Sequence, residues 1–224
     1  MIRVFCILLL VILGVDARSE TGSAKAQDVF DTPPYRMRVS LFENLTQHRD
    51  VIMLGDSITA RGEWSELTGY TSIANRGIGG DNALGVFRRL DPLILMNPNK
   101  VFVMVGINDL IKGRAVDDIL TDYKYIVSRL NEAGAVVYVQ STLYVSRRSR
   151  LKFNSGVTML NYKMKEFCDR SRTCIYIDLN SILASKGRLD GKYTADGVHL
   201  NGDGYLAWAH SLRKYLESNS AAVN

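Results

Sequence analysis

The sequence predicts a single parallel three-layer α/β domain. Short runs of continuously apolar residues, such as 51–54 and 101–105, are typical of strands that are buried on both faces. These runs alternate with amphipathic segments, and that alternation predicts a parallel sheet with helices on both sides. The chain has 224 residues, 46% of them hydrophobic and 23% charged, as expected for one globular domain with a sizeable core. We assign this domain to residues 28–218.

The elements follow from the pattern in chain order. The predicted strands are residues 51–54, 72–75, 101–105, 135–139 and 174–177. A first helix is expected after Pro33 and Pro34, and further helices are expected at 64–67, 83–95, 116–130, 157–167 and 205–216. Asp81 and Asn82 are expected to cap the helix at 83. The helix at 116–130 has one apolar face, which consists of Ile119, Tyr123, Ile126, Val127 and Leu130.

The first residues predict an export signal and lie outside the predicted domain. Arg3 precedes an almost unbroken apolar run at 4–15, and Val15 and Ala17 then occupy the −3 and −1 positions of a signal-peptidase site. Residues 24–26 offer a second cleavage site. The run is shorter than the roughly 20 residues that span a bilayer. We therefore expect residues 1–17 to be removed, and a periplasmic or secreted protein without stable membrane insertion.

Two cysteines outside the signal segment flank a polar turn. Cys168 and Cys174 enclose the residues D-R-S-R-T, between a predicted helix and a predicted strand. An oxidising compartment would allow a disulfide between them. The sequence alone leaves this disulfide and a pair of buried thiols equally open.

Composition and motifs exclude several classes of protein. The net charge is only +5, and no dense Lys/Arg block indicates a nucleic-acid partner. Neither C-x-x-C nor H-E-x-x-H occurs, so we expect no metal. The dinucleotide fingerprint G-x-G-x-x-G fails because Asn82 stands where its last glycine would be. No cofactor is therefore expected.

Polar clusters follow three of the predicted strands, and a fourth precedes the last helix. Ligands of such sheets bind at the carboxyl ends of the strands. Ser57 follows the first strand on a tight turn that can expose its hydroxyl. A nucleophilic serine needs a histidine base and an orienting carboxylate. Among His48, His199 and His210, only His199 has a carboxylate three residues away on a loop, Asp196. Taken singly, each cluster is also typical of ordinary turns and helix caps.

Together the clusters resemble a known family. The motifs are G-D-S-I at 55–58, N-R-G-I-G-G-D at 75–81, G-I-N-D at 106–109 and D-G-V-H at 196–199. They resemble blocks I, II, III and V of the SGNH hydrolases, also called GDSL esterases/lipases. The second motif is most similar to the platelet-activating-factor acetylhydrolase-type branch and to related bacterial acyl-esterases. The resemblance spans residues 51–216.

This resemblance implies a flavodoxin-like α/β/α sandwich with a five-stranded parallel sheet, and metal-free hydrolysis of esters or thioesters. It implies that Ser57 is the nucleophile, that His199 is the general base and that Asp196 orients His199. The oxyanion hole would comprise the backbone N–H groups of Ser57 and Gly80 and the side-chain amide of Asn108. Arg76 and Gly79 are expected to shape the loop.

The sequence indicates the substrate less closely. Because no apolar lid interrupts the domain, we expect short-chain acyl esters, acetyl above all, on glycans such as sialic acid or plant polysaccharide. A lysophospholipase or thioesterase of the same mechanism, and a catalytically silent glycan- or nucleotide-binding module, are the alternatives. The loop after the fourth strand contains Arg147, Arg148 and Arg150, which are expected to engage an acidic substrate, although a solvated charge run has the same pattern.

Overall fold

The fold is that of a parallel α/β sandwich, as the sequence predicts. The computed structural model describes residues 29–149 and 152–218. The predicted signal segment, 1–17, and Arg150 lie outside the described residues. Five parallel strands form the sheet in the order β2-β1-β3-β4-β5. They are β1 (Val51–Gly55), β2 (Ile73–Gly77), β3 (Lys100–Met104), β4 (Val136–Gln140) and β5 (Ile175–Ile177).

Ten α-helices surround the sheet in the part of the chain described. They are α1 (Pro33–Asn44), α2 (Ser57–Ala60), α3 (Trp64–Thr68), α4 (Ala83–Arg88), α5 (Asp91–Ile94), α6 (Ile107–Ile111), α7 (Val116–Glu132), α8 (Asn154–Ser171), α9 (Asn180–Leu183) and α10 (Gly202–Glu217). Helix α7 contacts α4 and α8, whereas α10 contacts α3 and α9. These two groups of helices form the two outer layers. A small antiparallel hairpin, β6 (Ala184–Ser185) and β7 (Arg188–Leu189), follows α9.

The core lies on both faces of the sheet. Every residue of β1 and β3 is buried, as continuous apolar runs predict for central parallel strands. The Phe102 and Tyr138 rings stack at 4.5 Å between neighbouring strands. On α7 the five predicted core residues are all buried. Trp208 of α10 is fully buried, and its indole N–H donates to Gln140 Oε1 at 2.7 Å. This bond connects helix α10 to the carboxyl end of β4.

The strand order defines a topological switch point at the carboxyl ends of the strands. The chain runs from β1 to its neighbour β2 on one side and then crosses to β3 on the other side of β1. This reversal is the topological switch point, where open α/β sheets bind their ligands. The segments after β1, β2 and β3 all lie at that edge, since parallel strands end on the same side. They carry the first three polar motifs.

The prediction of a single helix over residues 83–95 is wrong. The structure has two short helices there, α4 and α5, separated by Arg89 and Leu90. Pro92 lies in the first turn of α5. Proline has no N–H, and its ring clashes with the carbonyl group four residues earlier, so a continuous helix through this position is disfavoured.

The polar turn between α8 and β5 is closed by a disulfide. The Sγ atoms of Cys168 and Cys174 are 2.05 Å apart, and both side chains are largely buried. This resolves the pairing that the sequence leaves open. Among the described residues, no helix is long and apolar enough to cross a membrane.

Candidate active site

Ser57 stands at the start of α2, directly after β1. Asp56 is the N-cap residue of this helix, and its Oδ1 accepts the N–H of Ile58 at 2.9 Å. A hydrogen bond connects this helix to α10, because the Tyr205 hydroxyl donates to the Ile58 carbonyl at 2.7 Å. The hydroxyl of Ser57 is thus presented at the edge of the sheet by a buried, hydrogen-bonded turn.

Two consecutive hydrogen bonds connect Ser57, His199 and Asp196. The Ser57 Oγ is 2.9 Å from His199 Nε2, and His199 Nδ1 is 2.6 Å from Asp196 Oδ2. With the carboxylate accepting from Nδ1–H, we assign Nε2 as the acceptor of the serine proton. The other carboxylate oxygen, Asp196 Oδ1, accepts the N–H groups of Val198 at 2.9 Å and of His199 at 2.8 Å. These contacts fix the loop that carries both residues.

The same contacts keep Asp196 ionised. Burial raises the pKa of the Asp196 carboxyl, but the hydrogen bonds from the His199 ring and from two backbone N–H groups outweigh it. The pKa of Asp196 is therefore held well below its usual range. A permanent negative charge at this position favours the Nδ1–H tautomer of His199 and stabilises the imidazolium that forms if Nε2 takes a proton.

The glycine-rich loop, residues 77–82, lies beside the Ser57 turn. Its Ile78 N–H donates to the Gly55 carbonyl at 3.1 Å. Gly80 has φ +77°, which L side chains rarely adopt, and a Cβ there would meet Val29 at 3.1 Å. Asn108 approaches from the segment after β3, and its Nδ2 donates to the Asp81 carbonyl at 2.8 Å. The side-chain amide of Asn108 is therefore held next to Gly80.

Ion pairs between buried side chains hold the glycine-rich loop in place. Asp81 pairs with Arg89 at 2.7 Å, and Arg89 also donates to the carbonyl groups of Arg76 and Gly55. Asp109 accepts the Ala83 N–H at 3.0 Å and pairs with Arg114, which also pairs with Asp122. We call the buried residues Asp81, Arg89 and Asp109, together with the partly exposed Arg114 and Asp122, the buried ionic cluster. It ties the ends of β1, β2 and β3 together.

The buried carboxyl groups under the site have perturbed acidities. Burial, reinforced by the nearby charges of Asp81 and Asp109, raises the pKa of Asp56 to about 7 against the N–H bond from Ile58. Burial also raises the pKa of Asp109 to about 6, although the Ala83 N–H and Arg114 oppose it. The expectation that Asp81 caps α4 is wrong, since its carboxylate pairs with Arg89. Asn82 is the cap, with its Oδ1 accepting the Gly85 N–H.

The other two histidines do not contact Ser57. His48 bonds the Met96 carbonyl through Nδ1 and Asp50 through Nε2, and His210 is exposed on α10. Within the described ranges, no group of three or more His, Cys, Asp or Glu side chains could hold a metal ion.

The basic loop after β4 packs against the segment that carries Asp196 and His199. The Ser146 N–H donates to the Gly197 carbonyl at 2.8 Å. Arg147 and Arg148 follow and are exposed. They line a groove together with Lys186 and Arg188 of the β6–β7 hairpin. Sequence reasoning missed these hairpin cations, because two-residue strands leave too short a pattern to be recognised.

Residues 53–207 match the model of the GDSL-like Lipase/Acylhydrolase family. An N-acylneuraminate cytidylyltransferase of Streptococcus agalactiae is 28% identical over 148 residues, which are 66% of this chain and 34% of that protein. The chain therefore spans about a third of the length of the curated relatives it matches.

Solved structures share the fold. A Streptococcus pneumoniae protein described as a candidate platelet activating factor matches with a TM-score of 0.77 and 24% identity, over 82% of this chain and 92% of that one. An acetyl xylan esterase matches with a TM-score of 0.64 and 21% identity, over 74% of this chain and 98% of that one. Because the family model covers more than half of the sequence, the chain belongs to the GDSL-like lipase/acylhydrolase family.

Proposed function

We propose that the chain is a serine esterase that removes short acyl groups, acetyl above all, from glycans. Ser57 is the nucleophile, His199 the general base and Asp196 the carboxylate that orients the base. The observation that carries the proposal is the continuous line of hydrogen bonds, 2.9 Å from Ser57 to His199 and 2.6 Å from His199 to Asp196.

The reaction follows from this geometry. As the Ser57 Oγ attacks the ester carbonyl carbon, His199 Nε2 takes the hydroxyl proton. The negative charge on the former carbonyl oxygen is stabilised by the N–H groups of Ser57 and Gly80 and by the Asn108 amide. Collapse of this intermediate breaks the ester bond, and His199 returns the proton to the departing sugar oxygen. A water molecule, deprotonated by His199, then attacks the carbonyl carbon of the acyl-serine, and the acid is released as His199 returns the proton to the Ser57 Oγ.

A short acyl group is supported by a structural neighbour, which is an acetyl xylan esterase. A sugar-borne ester is supported by the Streptococcus agalactiae relatives, whose name refers to N-acylneuraminate, an acylated acidic sugar.

Export is part of the proposal. The apolar run at 4–15 and the small residues at 15 and 17 are typical of a cleaved signal. The Cys168–Cys174 disulfide is what an oxidising compartment allows. Mass analysis of the mature protein from periplasm or medium should find a chain that begins at residue 18 or 27, and an intact N-terminus in the cytoplasm would contradict export.

An ester panel tests the proposed activity. Acid release is measured on p-nitrophenyl acetate, butyrate and decanoate and on an acetylated sugar, for the native chain and for Ser57→Ala. We expect kcat/KM to fall as the acyl chain lengthens and Ser57→Ala to be inactive throughout. A preference for decanoate would favour a lysophospholipase, and activity that persists in Ser57→Ala would remove Ser57 as the nucleophile.

A further inference from the structure

The basic loop and the β6–β7 hairpin enclose a groove next to the triad. The groove has a volume of about 450 Å³, and its charged lining residues are Arg147, Arg148, Lys186, Arg188 and Asp190. We call it the cationic groove. Its four cations face a single carboxylate, so its net charge is positive.

The four cations are not neutralised from within the described ranges. Arg147, Arg148, Lys186 and Arg188 are all exposed, and none makes an ion pair with a described carboxylate. By contrast, Arg89, Arg114, Arg129 and Arg170 each pair with at least one carboxylate. An unneutralised set of cations in a concave surface concentrates an electrostatic field that attracts anions.

The walls of the groove are held in place. Ser146 and Leu189, which lie in its lining, are only 3% and 2% exposed. The Asn154 side chain joins the two walls, because it accepts from the Val145 N–H at 2.9 Å and donates to the carbonyl groups of Val145 and Gly187. The backbone that carries the cations is therefore pre-organised, which lowers the entropic cost of binding a ligand.

One wall of the groove contacts the segment that carries Asp196 and His199. Ser146, in its lining, donates its N–H to the carbonyl of Gly197, the residue between Asp196 and the Val198-His199 pair. The approach is so close that a Cβ on Gly197 would lie 2.4 Å from the Ser149 nitrogen. The groove and the catalytic histidine therefore lie on neighbouring loops, and an extended substrate with its ester at Ser57 can reach the groove.

We propose that the cationic groove binds the carboxylate of an acidic sugar while its acyl ester lies at Ser57. The proposal rests on the proposed esterase function and names its substrate class. Arginine suits this role because its planar fork donates two parallel hydrogen bonds to a carboxylate. Arg188 on the hairpin and Arg147 and Arg148 on the loop supply such forks from both walls, and Lys186 adds a point charge.

The test compares an O-acetylated N-acylneuraminate with its carboxyl methyl ester, which keeps the sugar and removes the charge. Acetate release is measured for the native chain, Arg147→Ala, Arg188→Ala and Arg188→Lys. We expect the native chain to prefer the acid. The ratio of kcat/KM for the acid to that for the methyl ester should fall about tenfold in each alanine variant, the usual effect of one lost charge-assisted hydrogen bond, mainly through KM. Arg188→Lys should retain part of the preference.

Arg36→Ala is the matched control, since Arg36 is exposed on α1 and does not line the groove. It should leave the ratio as in the native chain. A ratio unchanged in Arg147→Ala and Arg188→Ala, or lowered equally by Arg36→Ala, would overturn the proposal. A higher kcat/KM on an acetylated sugar phosphate than on the acid would overturn the assignment to a carboxylate. Failure of the native chain to release acetate from either sugar would instead contradict the proposed esterase function.

Discussion

The buried ionic cluster and the cationic groove place charged side chains in opposite environments. In the cluster, Asp81 and Asp109 are fully buried and each faces an arginine at 2.7 Å or less. In the groove, exposed cations of the described chain have no carboxylate partner. Burial forces charges to be paired, because an isolated buried ion is very costly. Exposed cations carry no such cost and remain available to a ligand. The first arrangement shapes the site, and the second is suited to recognition.

Removing one arginine from each region should show the largest difference between them, in the free energy of unfolding. Arg89→Ala leaves the Asp81 carboxylate buried without its cation, and we expect a loss of about 3–5 kcal/mol in the free energy of unfolding. Arg147→Ala removes an exposed cation and should change that free energy by less than about 0.5 kcal/mol. Urea unfolding of both variants measures the difference. Equal losses would mean that burial does not separate the two regions.

Asp56 differs from Asp81 and Asp109, because it is a buried carboxyl group without a cation partner among the described residues. Its pKa is about 7 in the folded chain and about 3.9 when unfolded. At a pH between these two pKa values, the Asp56 carboxyl is protonated in the folded chain and ionised in the unfolded chain. The contribution of Asp56 to stability is thus complete below about pH 4 and falls as the pH rises to about 7, by about 1.4 kcal/mol per pH unit.

Asp56→Asn removes this titration. The variant should therefore gain stability relative to the native chain as the pH rises from about 4 to about 7. Unfolding free energies at several pH values measure the difference, and Asp118→Asn, at an exposed position of α7, is the control. Parallel profiles for the native chain and Asp56→Asn would show that Asp56 is already ionised at low pH.

Asn108 connects the cluster to the proposed oxyanion hole, since its amide donates to the carbonyl of Asp81. Asn108→Ala should lower kcat by about 10²–10³-fold with little change in KM, the effect of removing one oxyanion donor. Steady-state kinetics on p-nitrophenyl acetate measures this, with Asn131→Ala as the control, because the half-buried Asn131 amide donates to the Thr173 carbonyl and not to the site. An increase confined to KM would mean that Asn108 binds the substrate without stabilising the transition state.

The sheet was predictable because its strands leave a local signal. The continuous apolar runs of β1 and β3 correspond to complete burial in the structure. The same holds for the apolar face of α7, whose five residues are buried. The family was predictable for a related reason, since each motif is a contiguous string at the end of a strand or before a helix.

Features that depend on distant residues were not predictable. The sequence predicts that Asp81 is a helix cap, and its ion pair with Arg89 is seen only in the folded structure. On α1, Met37 and Leu41 have helical spacing but are exposed, whereas Tyr35 and Phe42 are buried. Spacing identifies a helix, but the neighbouring elements decide which face it buries. The hairpin cations likewise meet the basic loop only through tertiary contacts such as those of Asn154.

The central claim is that His199 activates Ser57, and the rate of labelling by a fluorophosphonate tests it most directly. The reagent bonds to an activated serine, and mass spectrometry locates the modified residue. We predict labelling at Ser57 in the native chain, a rate about 10²–10⁴-fold lower in His199→Ala because the general base is lost, and an unchanged rate in the exposed control His210→Ala. Labelling at another serine, or a native rate in His199→Ala, would contradict the account.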